Sequence, residues 1–308
     1  MLTFKSITFC LQKMNLSQLL QSSKVVAGNR PNVDEKIRKL VEDGADKLQV
    51  IVDFDYTLTR AHKDGVPVEC SWGVLETYPR LPESYHSKVK AAKDKYLPIE
   101  HDLSIKLEQK IPLMIEWYKV ANQCLAESGV QQSWLPHMVT QSNCELRDDT
   151  VKMLSMLNDV NVPVLVMSAG IGDLIKEILA HFQVMYNNTS LVSNFLKFDA
   201  DGNVVGLCGE DQDLIHMYNK AEVIQRKTVD QNCESRKNVI LMGDSLGDLD
   251  MAAGVKDPNV VFTIGFLNKS IEKNLEEYQR RFDVVLVDDQ TMAFPNSLLN
   301  DIISSSQQ

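Results

Sequence analysis

Apolar residues occur along the chain in two patterns, and each pattern predicts a different element. Continuous runs of about five apolar residues are typical of strands that are buried on both faces of a sheet. Apolar positions three or four residues apart are typical of one face of a helix. The second pattern first occurs in residues 33–41, so we predict a helix that begins at Asn32 and ends at the stop signal Gly44.

Five apolar runs have the length and composition of buried strands, and a helical pattern separates each from the next. These runs are residues 48–52, 162–167, 238–242, 260–264 and 284–287. Strands that alternate with helices form a parallel sheet covered on both faces. The chain is therefore predicted to have an α/β fold with a Rossmann-like parallel sheet.

One long segment, residues 62–150, interrupts this alternation after the first predicted strand. We call it the inserted segment. It has a helical pattern throughout, with Pro112 and Pro136 as local interruptions. Its position predicts a helical cap domain over the edge of the sheet. The remaining domains follow from it: an α/β core domain of residues 32–61 and 151–308, and an N-terminal extension of residues 1–31.

Polar clusters follow three of the predicted strands, in residues 53–55, 168–170 and 243–248. In open α/β sheets the ligand site lies outside the carboxyl ends of the strands, so these clusters should meet. Four carboxylates would then share one crevice, and they would repel one another at low dielectric. A hard divalent cation with oxygen ligands removes that repulsion, and Mg²⁺ is the typical choice. The carboxylates that predict this Mg²⁺ site are Asp53, Asp55, Asp244 and Asp248.

The same crevice offers groups that bind a phosphate. Ser168 has a hydroxyl, and the N–H groups of Ala169 and Gly170 lie at a predicted helix start, which favours anions. Lys220, between the second and third clusters, supplies a positive charge. Two carboxylates two residues apart suit a nucleophile that attacks phosphorus and a general acid that protonates the leaving alkoxide.

These motifs resemble those of the haloacid dehalogenase-like phosphohydrolases, and more closely those of the cytosolic 5′-nucleotidase III family. That family comprises pyrimidine 5′-nucleotidase and 7-methylguanosine phosphate-specific 5′-nucleotidase, and the resemblance covers about residues 32–305. The segments that carry it are residues 47–55, 96–100, 116–118, 168–173, 192–195, 219–220 and 241–249.

The resemblance implies a role for each site residue. Asp53 would be the nucleophile that forms an aspartyl-phosphate, and Asp55 the acid for the ribose 5′-oxygen and then the base for water. The carboxylates of Asp53 and Asp244 and the backbone carbonyl of Asp55 would hold Mg²⁺, with Asp248 acting through water. The phosphate would be bound by Ser168, Ala169, Gly170 and Lys220, and the base, under the cap, by Trp72, Glu100 and Trp117.

The expected activity is Mg²⁺-dependent hydrolysis of nucleoside 5′-monophosphates, with 7-methylguanosine monophosphate preferred and cytidine monophosphate also accepted. Methylation makes the purine cationic, and a cation is attracted to a Trp face. Three alternatives stay open: a nucleotidase that prefers cytidine or uridine monophosphate, a phosphatase for phosphoserine or a sugar phosphate, and a nucleotide-binding module without catalysis. The aromatic pair in the inserted segment favours a nucleotide, and the complete set of carboxylates favours catalysis.

Composition and net charge limit the kinds of binding partner that we expect. The chain has 308 residues and a net charge of −10, so binding to a nucleic-acid polymer is not expected. No apolar run approaches the ~18 residues of a membrane-spanning helix, so no membrane partner is expected. The dispersed cysteines, without a CxxC pair, are typical of reduced thiols. We expect a cytoplasmic monomer, and we favour a short extension over a mitochondrial transit peptide for the acid-free residues 1–33.

Overall fold

The computed structural model describes residues 15–102, 104–209, 213–226 and 235–305. Its strands, in chain order, are β1 (Val25–Ala27), β2 (Leu48–Val52), β3 (His62–Lys63), β4 (Val66–Pro67), β5 (Val164–Ile171), β6 (Thr189–Asn194), β7 (Leu196–Phe198), β8 (Val204–Leu207), β9 (Asn238–Gly243), β10 (Val260–Leu267) and β11 (Val284–Val287). Its α-helices are α1 (Leu16–Leu19), α2 (Arg30–Asp43), α3 (Ser71–Glu76), α4 (Glu83–His101), α5 (Leu107–Ala126), α6 (Leu135–Gln141), α7 (Thr150–Asp159), α8 (Gly172–His181), α9 (Lys220–Arg226), α10 (Ile271–Arg281) and α11 (Ala293–Ser305).

Seven strands form the main sheet, in the order β1-β11-β10-β9-β2-β5-β6. Neighbouring strands are parallel, except that β1 runs antiparallel to β11. Alternate residues of β2 face different buried clusters, Val50 and Val52 one cluster and Ile51 another, so both faces of the sheet are covered. The predicted α/β fold with a Rossmann-like sheet is therefore confirmed.

All five predicted strands are present in this sheet. The bounds of β2 and β11 are those predicted, and β9 and β10 begin at the predicted residues. The strand predicted over residues 162–167 has other bounds. It is β5, which begins at Val164 and continues past an irregularity in its pairing with β6 to Ile171. The edge strands β1 and β6 were not predicted: the first is only three residues long, and the second is half exposed and lacks a continuous apolar run.

The register of the three central strands places the polar clusters side by side. Val52, the last residue of β2, pairs with Val166 of β5 and with Met242 of β9. The chain therefore leaves all three strands at the same edge of the sheet. The Asp53 N–H continues the pairing, because it donates to the carbonyl oxygen of Met242 at 3.0 Å.

The inserted segment contains α3 to α6, preceded by the short antiparallel hairpin of β3 and β4. Pro112 lies inside α5, so the predicted interruption there is wrong. A proline removes one backbone hydrogen bond, and the rest of this 20-residue helix keeps its own. Pro136 lies in the first turn of α6, where a proline is well tolerated. The division into cap and core domains stays a prediction.

The start of the packed structure differs from the predicted boundary after residue 31. Residues 25–27 form a strand of the main sheet, and the buried residues of α1, Leu16 and Leu19, belong to the main core cluster. The predicted extension is therefore partly a component of the core, while residues 1–14 lie outside the described residues. The helix predicted from Asn32 begins two residues earlier, at Arg30, after the capping residue Asn29. Among the described residues, no helix is both long and apolar enough to span a membrane.

Candidate active site

Three acidic side chains converge beyond the ends of β2 and β9. Asp53 follows β2, Asp244 follows β9, and Asp248 lies in the 3₁₀-helical turn after it. One carboxylate oxygen of each lies within 4.8 Å of the other two. Gly243 permits this close approach, because a Cβ atom at that residue would lie 2.3 Å from the Cβ of Asp248. The structure thus brings together three of the four predicted carboxylates.

Lys220, the first residue of α9, lies among these carboxylates. Its Nζ donates to Asp53 Oδ1 at 2.5 Å, to Asp248 Oδ1 at 2.6 Å and to the Met167 carbonyl oxygen at 3.2 Å. The lysine is only 3% exposed. Burial lowers its pKa, but the charges of Asp248 and Asp53 outweigh burial and raise the pKa of Lys220 above its ordinary value. The site therefore holds a fixed positive charge, while the predicted binding of phosphate by Lys220 stays a prediction.

Negative charge exceeds this single positive charge. Burial raises the pKa of Asp53 to about 7, although the Lys220 ammonium lowers it. Burial, with the charges of Asp53 and Asp248, also raises the pKa of Asp244 well above its ordinary value. Oxygen donors with excess negative charge are the ligands that hard divalent cations prefer. The chemistry of these donors therefore fits a divalent metal ion.

Asp55 lies apart from the three-carboxylate cluster and is held by the inserted segment. The Ser71 N–H donates to Asp55 Oδ1 at 2.7 Å, and the Ser71 hydroxyl donates to Asp55 Oδ2 at 2.5 Å. Burial raises the pKa of Asp55, although these hydrogen bonds lower it. A raised pKa lets a carboxyl group carry a proton for general acid catalysis. The contact also shows that the inserted segment places a buried residue, Ser71, directly against Asp55.

Residues 168–170, here called the phosphate loop, lie against Asp55. The Ser168 hydroxyl oxygen accepts a hydrogen bond from the Gly170 N–H at 3.0 Å. A Cβ atom at residue 170 would lie 2.0 Å from the Ser71 Oγ and 2.7 Å from the Asp55 Oδ2, so that only glycine fits there. The predicted helix start at this loop is wrong, because β5 continues through it and α8 begins at Gly172.

The Ala169 carbonyl oxygen connects the phosphate loop to the inserted segment. It accepts hydrogen bonds from the Trp72 Nε1–H at 3.2 Å and from the Tyr118 hydroxyl at 3.0 Å. A third donor, the Asn194 Nδ2, lies 3.0 Å away on the core side. These bonds fix the loop relative to α3 and α5.

A cavity of about 330 Å³ lies between the inserted segment and the turn after Asp55. We call it the base cavity. Its volume falls in the range of small-molecule sites. The residues that line it include all three predicted base-binding residues, Trp72, Glu100 and Trp117, together with Tyr56, Cys70, Glu76, Lys93, Leu97, Tyr118, Ala121 and Lys269.

The two tryptophans of the base cavity have different neighbours. The Trp72 ring meets Tyr118 edge to face, with centroids 6.1 Å apart and planes at 86°. The Trp117 ring stacks on Tyr96, with centroids 5.7 Å apart and planes at 14°. Tyr96 therefore covers one face of Trp117 and leaves at most the other face for a ligand. A base held between the two indoles stays a prediction.

Glu100 is the acidic group of the base cavity that carries no protein partner. No donor within the described parts of the chain forms a hydrogen bond or ion pair with its carboxylate, although its side chain is largely withdrawn from solvent. Burial raises the pKa of Glu100 to about 7, although the Lys110 charge lowers it. By contrast, Glu76 in the same cavity pairs with Lys93 at 2.5 Å. Within the described residues, the carboxylate oxygens of Glu100, unlike those of Glu76, can thus still accept hydrogen bonds from a ligand.

The turn after Asp55 has an unusual backbone that a buried arginine supports. Tyr56 has a φ of 61°, in the left-handed region that bulky residues rarely adopt. Its N–H donates to the Thr59 Oγ1 at 2.8 Å, and its carbonyl oxygen accepts from Arg147. Arg147 also donates to the Thr57 carbonyl oxygen at 2.7 Å. These bonds hold the turn that directly follows the two predicted catalytic carboxylates.

Sequence reasoning missed Ser71, Tyr118 and Arg147. The first two are neighbours in sequence of the predicted residues Trp72 and Trp117, and that adjacency is the signal that was available. No comparable signal marks Arg147, because its contacts are made across 90 and more residues of chain.

Comparisons with known proteins identify the family of this chain. The profile of the family described as Pyrimidine 5′-nucleotidase (UMPH-1) matches residues 56–303. The Homo sapiens protein named 7-methylguanosine phosphate-specific 5′-nucleotidase is 35% identical over 290 residues, which are 94% of this chain and 96% of that protein. A crystal structure of cytosolic 5′-nucleotidase IIIB bound to cytidine has a TM-score of 0.87 and 32% identity, over 96% of this chain and 99% of that one.

A more distant structure, a probable phosphoserine phosphatase from Vibrio cholerae, shows the fold alone. Its TM-score is 0.51 at 13% identity, over 87% of this chain and 69% of that one. The match over most of the chain and the identity to the human relative confirm the predicted family. This chain belongs to the pyrimidine 5′-nucleotidase (UMPH-1) family and has the haloacid dehalogenase-like fold.

Proposed function

We propose that this 5′-nucleotidase hydrolyses nucleoside 5′-monophosphates through a phosphoryl group carried on Asp53, with Mg²⁺ as its metal ion. The reaction class follows from the family. The residue roles, the identity of the metal and the preferred base are our proposals, and each is supported by contacts in the site.

The first step forms a bond between an Asp53 carboxylate oxygen and phosphorus and breaks the bond from phosphorus to the ribose 5′-oxygen. Asp55 gives its proton to that oxygen, so the nucleoside leaves uncharged. In the second step Asp55 takes a proton from water, and the water oxygen attacks phosphorus. The bond to Asp53 then breaks, and inorganic phosphate leaves. The position of Asp55 beside Ser71, with a raised pKa, supports this role.

Two sets of residues would hold the phosphate and the metal. Lys220, fixed between Asp53 and Asp248, would contact the phosphate oxygens with Ser168 and the backbone of Ala169 and Gly170. Mg²⁺ would be held by the carboxylates of Asp53 and Asp244 and the carbonyl of Asp55, with Asp248 acting through water, and would neutralise the negative charge of carboxylates and phosphate. The convergence of three carboxylates supports this metal site.

The observation that carries the base assignment is the Glu100 carboxylate, which lies in an aromatic cavity and has no donor among the described residues. A guanine base offers it the N1–H and the 2-amino group, and cytosine offers its 4-amino group. Trp72 and Trp117 offer ring faces, and stacking on an aromatic side chain contributes about 1–3 kcal/mol per base. A cationic 7-methylguanine gains a further ~0.5–2 kcal/mol from a Trp face. We therefore propose 7-methylguanosine monophosphate as the preferred substrate, with cytidine monophosphate also accepted.

A second candidate is a preference for cytidine and uridine monophosphate. It is favoured by the description of the family and by the cytidine in the cytosolic 5′-nucleotidase IIIB structure. Uracil has a carbonyl oxygen where cytosine has its 4-amino group, and that oxygen would be repelled by the Glu100 carboxylate instead of donating to it. This argument places cytidine monophosphate above uridine monophosphate under either candidate.

A substrate panel tests the proposal. Phosphate release is measured for 7-methylguanosine, guanosine, cytidine, uridine and adenosine monophosphates and for phosphoserine, with Mg²⁺ and with a chelator. We expect the methylated purine first, cytidine monophosphate second, and loss of activity with the chelator that Mg²⁺ restores. Activity that survives chelation would contradict the metal role, and a wide preference for uridine monophosphate or phosphoserine would contradict the base assignment.

We also propose that the protein acts in the cytoplasm, in line with the names of its relatives, and as a monomer. Sedimentation of the purified chain tests the second point, because a dimer would have twice the mass of 34.8 kDa.

A further inference from the structure

A second buried lysine, Lys110 on α5, lies beside the end of α4 and not among the carboxylates that Lys220 contacts. Its side chain is only 2% exposed. Burying an ammonium group is unfavourable unless it is hydrogen bonded. No carboxylate among the described residues lies within ion-pair distance of it; instead its Nζ donates to the Glu100 carbonyl oxygen at 2.9 Å and to the Tyr218 hydroxyl oxygen at 3.1 Å. The Lys110 ammonium group is thus hydrogen bonded to a backbone carbonyl oxygen and not paired with a carboxylate.

Tyr218 binds the same carbonyl oxygen. Its hydroxyl donates to the Glu100 carbonyl oxygen at 2.8 Å, and the Lys110 Nζ lies 5.4 Å from the centre of its ring. Glu100 is the second-last residue of α4, where the carbonyl groups of a helix have no partner within the helix. Lys110 and Tyr218 therefore replace the missing intrahelical donors. We call these three residues the Glu100 clamp.

The clamp joins two regions of the site. The base end is the base cavity with Glu100, and the phosphate end is the phosphate loop with Asp53, Lys220, Asp244 and Asp248. Lys110 lies in the inserted segment, whereas Tyr218 lies two residues before Lys220, the lysine between Asp53 and Asp248. Both donors fix the backbone of Glu100, and no other residue in the described part of the chain pairs with its carboxylate in the base cavity. The direction of that carboxylate thus depends on the position of the last turn of α4.

We propose that Lys110 and Tyr218 are positioning residues for base recognition: they hold the end of α4 so that the Glu100 carboxylate meets the amino group of the bound base. This inference rests on the proposed function. A role only in helix stability would change the activity on all nucleotides equally. A role in positioning Glu100 changes the discrimination between bases that offer an amino donor and bases that do not.

The test measures kcat and KM for cytidine and uridine monophosphate in four variants. Lys110→Met removes the charge and its hydrogen bonds, Lys110→Arg keeps a donor, and Tyr218→Phe removes only the hydroxyl group. Lys90→Met is the matched control, because Lys90 is an exposed lysine on α4 that pairs with Asp94. We expect Lys110→Met to reduce the ratio of kcat/KM for cytidine over uridine monophosphate about fivefold, the effect of one misplaced hydrogen bond. The loss should arise mainly in KM, Lys110→Arg should restore part of it, and Lys90→Met should leave it unchanged.

A double variant makes the test decisive. In the background of Glu100→Gln, Lys110→Met and Tyr218→Phe should no longer change the cytidine to uridine ratio, because they act through Glu100. An unchanged ratio in both single variants, or an equal further change in the Glu100→Gln background, would overturn the inference. If Lys110→Met fails to fold, Tyr218→Phe decides alone. A wild-type chain without nucleotidase activity would instead overturn the proposed function itself.

Discussion

The phosphate end and the base end of the site are built on opposite principles. At the phosphate end, Lys220 contacts the buried carboxylates of Asp53 and Asp248 directly, and Asp248 also accepts from the N–H and the hydroxyl of Ser245, while Asp244 lies beside them and is partly exposed. At the base end, aromatic rings surround the carboxylate of Glu100, which has no donor among the described residues. Under the proposed function, the protein itself preorganises the phosphate end, and the bound base supplies the missing partner at the base end. The proposal therefore assigns the chemistry to the core and the specificity to the inserted segment.

The two ends are nevertheless connected through backbone carbonyl groups. The Ala169 carbonyl oxygen in the phosphate loop accepts from Trp72 and Tyr118 of the base cavity. The Glu100 carbonyl oxygen at the base end accepts from Tyr218, near the phosphate end. Substitutions in one end are expected to affect the other to the extent that they disturb these carbonyl contacts.

The largest effect is expected at the phosphate end, from Asp53→Asn. An amide cannot attack phosphorus, so turnover should fall by at least about four orders of magnitude. Phosphate release with substrate in excess over enzyme measures this, and a melting curve checks that the variant is folded. Phosphate release beyond one equivalent per enzyme would contradict the role of Asp53 as nucleophile.

Asp55→Asn should give the second-largest effect, and the size should depend on the leaving group. Loss of a general acid lowers the rate by about 10²–10⁴-fold for a poor leaving group such as a ribose 5′-oxygen. An activated aryl phosphate needs no proton, so formation of the phosphorylated enzyme should be affected much less. Single-turnover measurements with both substrates make the comparison. An equal loss with both would show that Asp55 does not act as an acid.

The phosphate end could be predicted from the sequence because its residues follow directly after buried strands. The apolar runs of β2 and β9 fix the sheet, and Asp53 and Asp244 are the next residues after these runs. Lys220 follows no such strand; its position between two polar clusters suggested it, and the family resemblance favoured it over the other lysines. The short or exposed edge strands β1 and β6 carry too little apolar pattern to be predicted.

The base end could be predicted only in part. Trp72, Glu100 and Trp117 were named from the resemblance, and all three line one cavity. Their contacts could not be predicted, since they depend on how α3, α4 and α5 pack on the core. The Ser71 contact with Asp55 and the anchoring of Trp72 on Ala169 are examples, because each joins residues that no local pattern relates.

At the base end, Trp72→Ala should distinguish the bases. We expect kcat/KM for 7-methylguanosine monophosphate to fall about tenfold or more, at ~1.4 kcal/mol per factor of ten, and less for cytidine monophosphate. The reason is that a cationic ring gains more from an indole face than a neutral ring does. Steady-state kinetics with both substrates measure the difference.

Trp72→Phe is the matched control for that prediction. It keeps an aromatic face but removes the Nε1–H that donates to the Ala169 carbonyl oxygen. Its effect should be smaller and equal for both nucleotides, because it acts through the phosphate loop. If Trp72→Ala also lowered kcat/KM equally for both nucleotides, stacking on Trp72 would have no part in specificity.

The smallest expected effect is a pH dependence that arises at Glu100. Burial raises the pKa of this residue to about 7, so its carboxyl group is protonated below that pH and ionised above it. Its ionised fraction therefore falls about tenfold between about pH 8 and about pH 6. Cys70 in the same cavity does not titrate in this range, since burial raises its pKa to about 12, and Glu76 is paired with Lys93.

A protonated Glu100 accepts a weaker hydrogen bond from the cytosine amino group than the ionised form does. We therefore expect KM for cytidine monophosphate to rise about threefold as the pH falls through this range, within the free energy of one hydrogen bond. The substrate phosphate also titrates nearby, so the comparison is made with Glu100→Gln, which keeps every other titration. The rise should be smaller in that variant and should remain in Glu76→Gln. Parallel pH profiles for wild type and Glu100→Gln would show that the Glu100 carboxylate does not bind the base, and the base end would then discriminate by its aromatic faces alone.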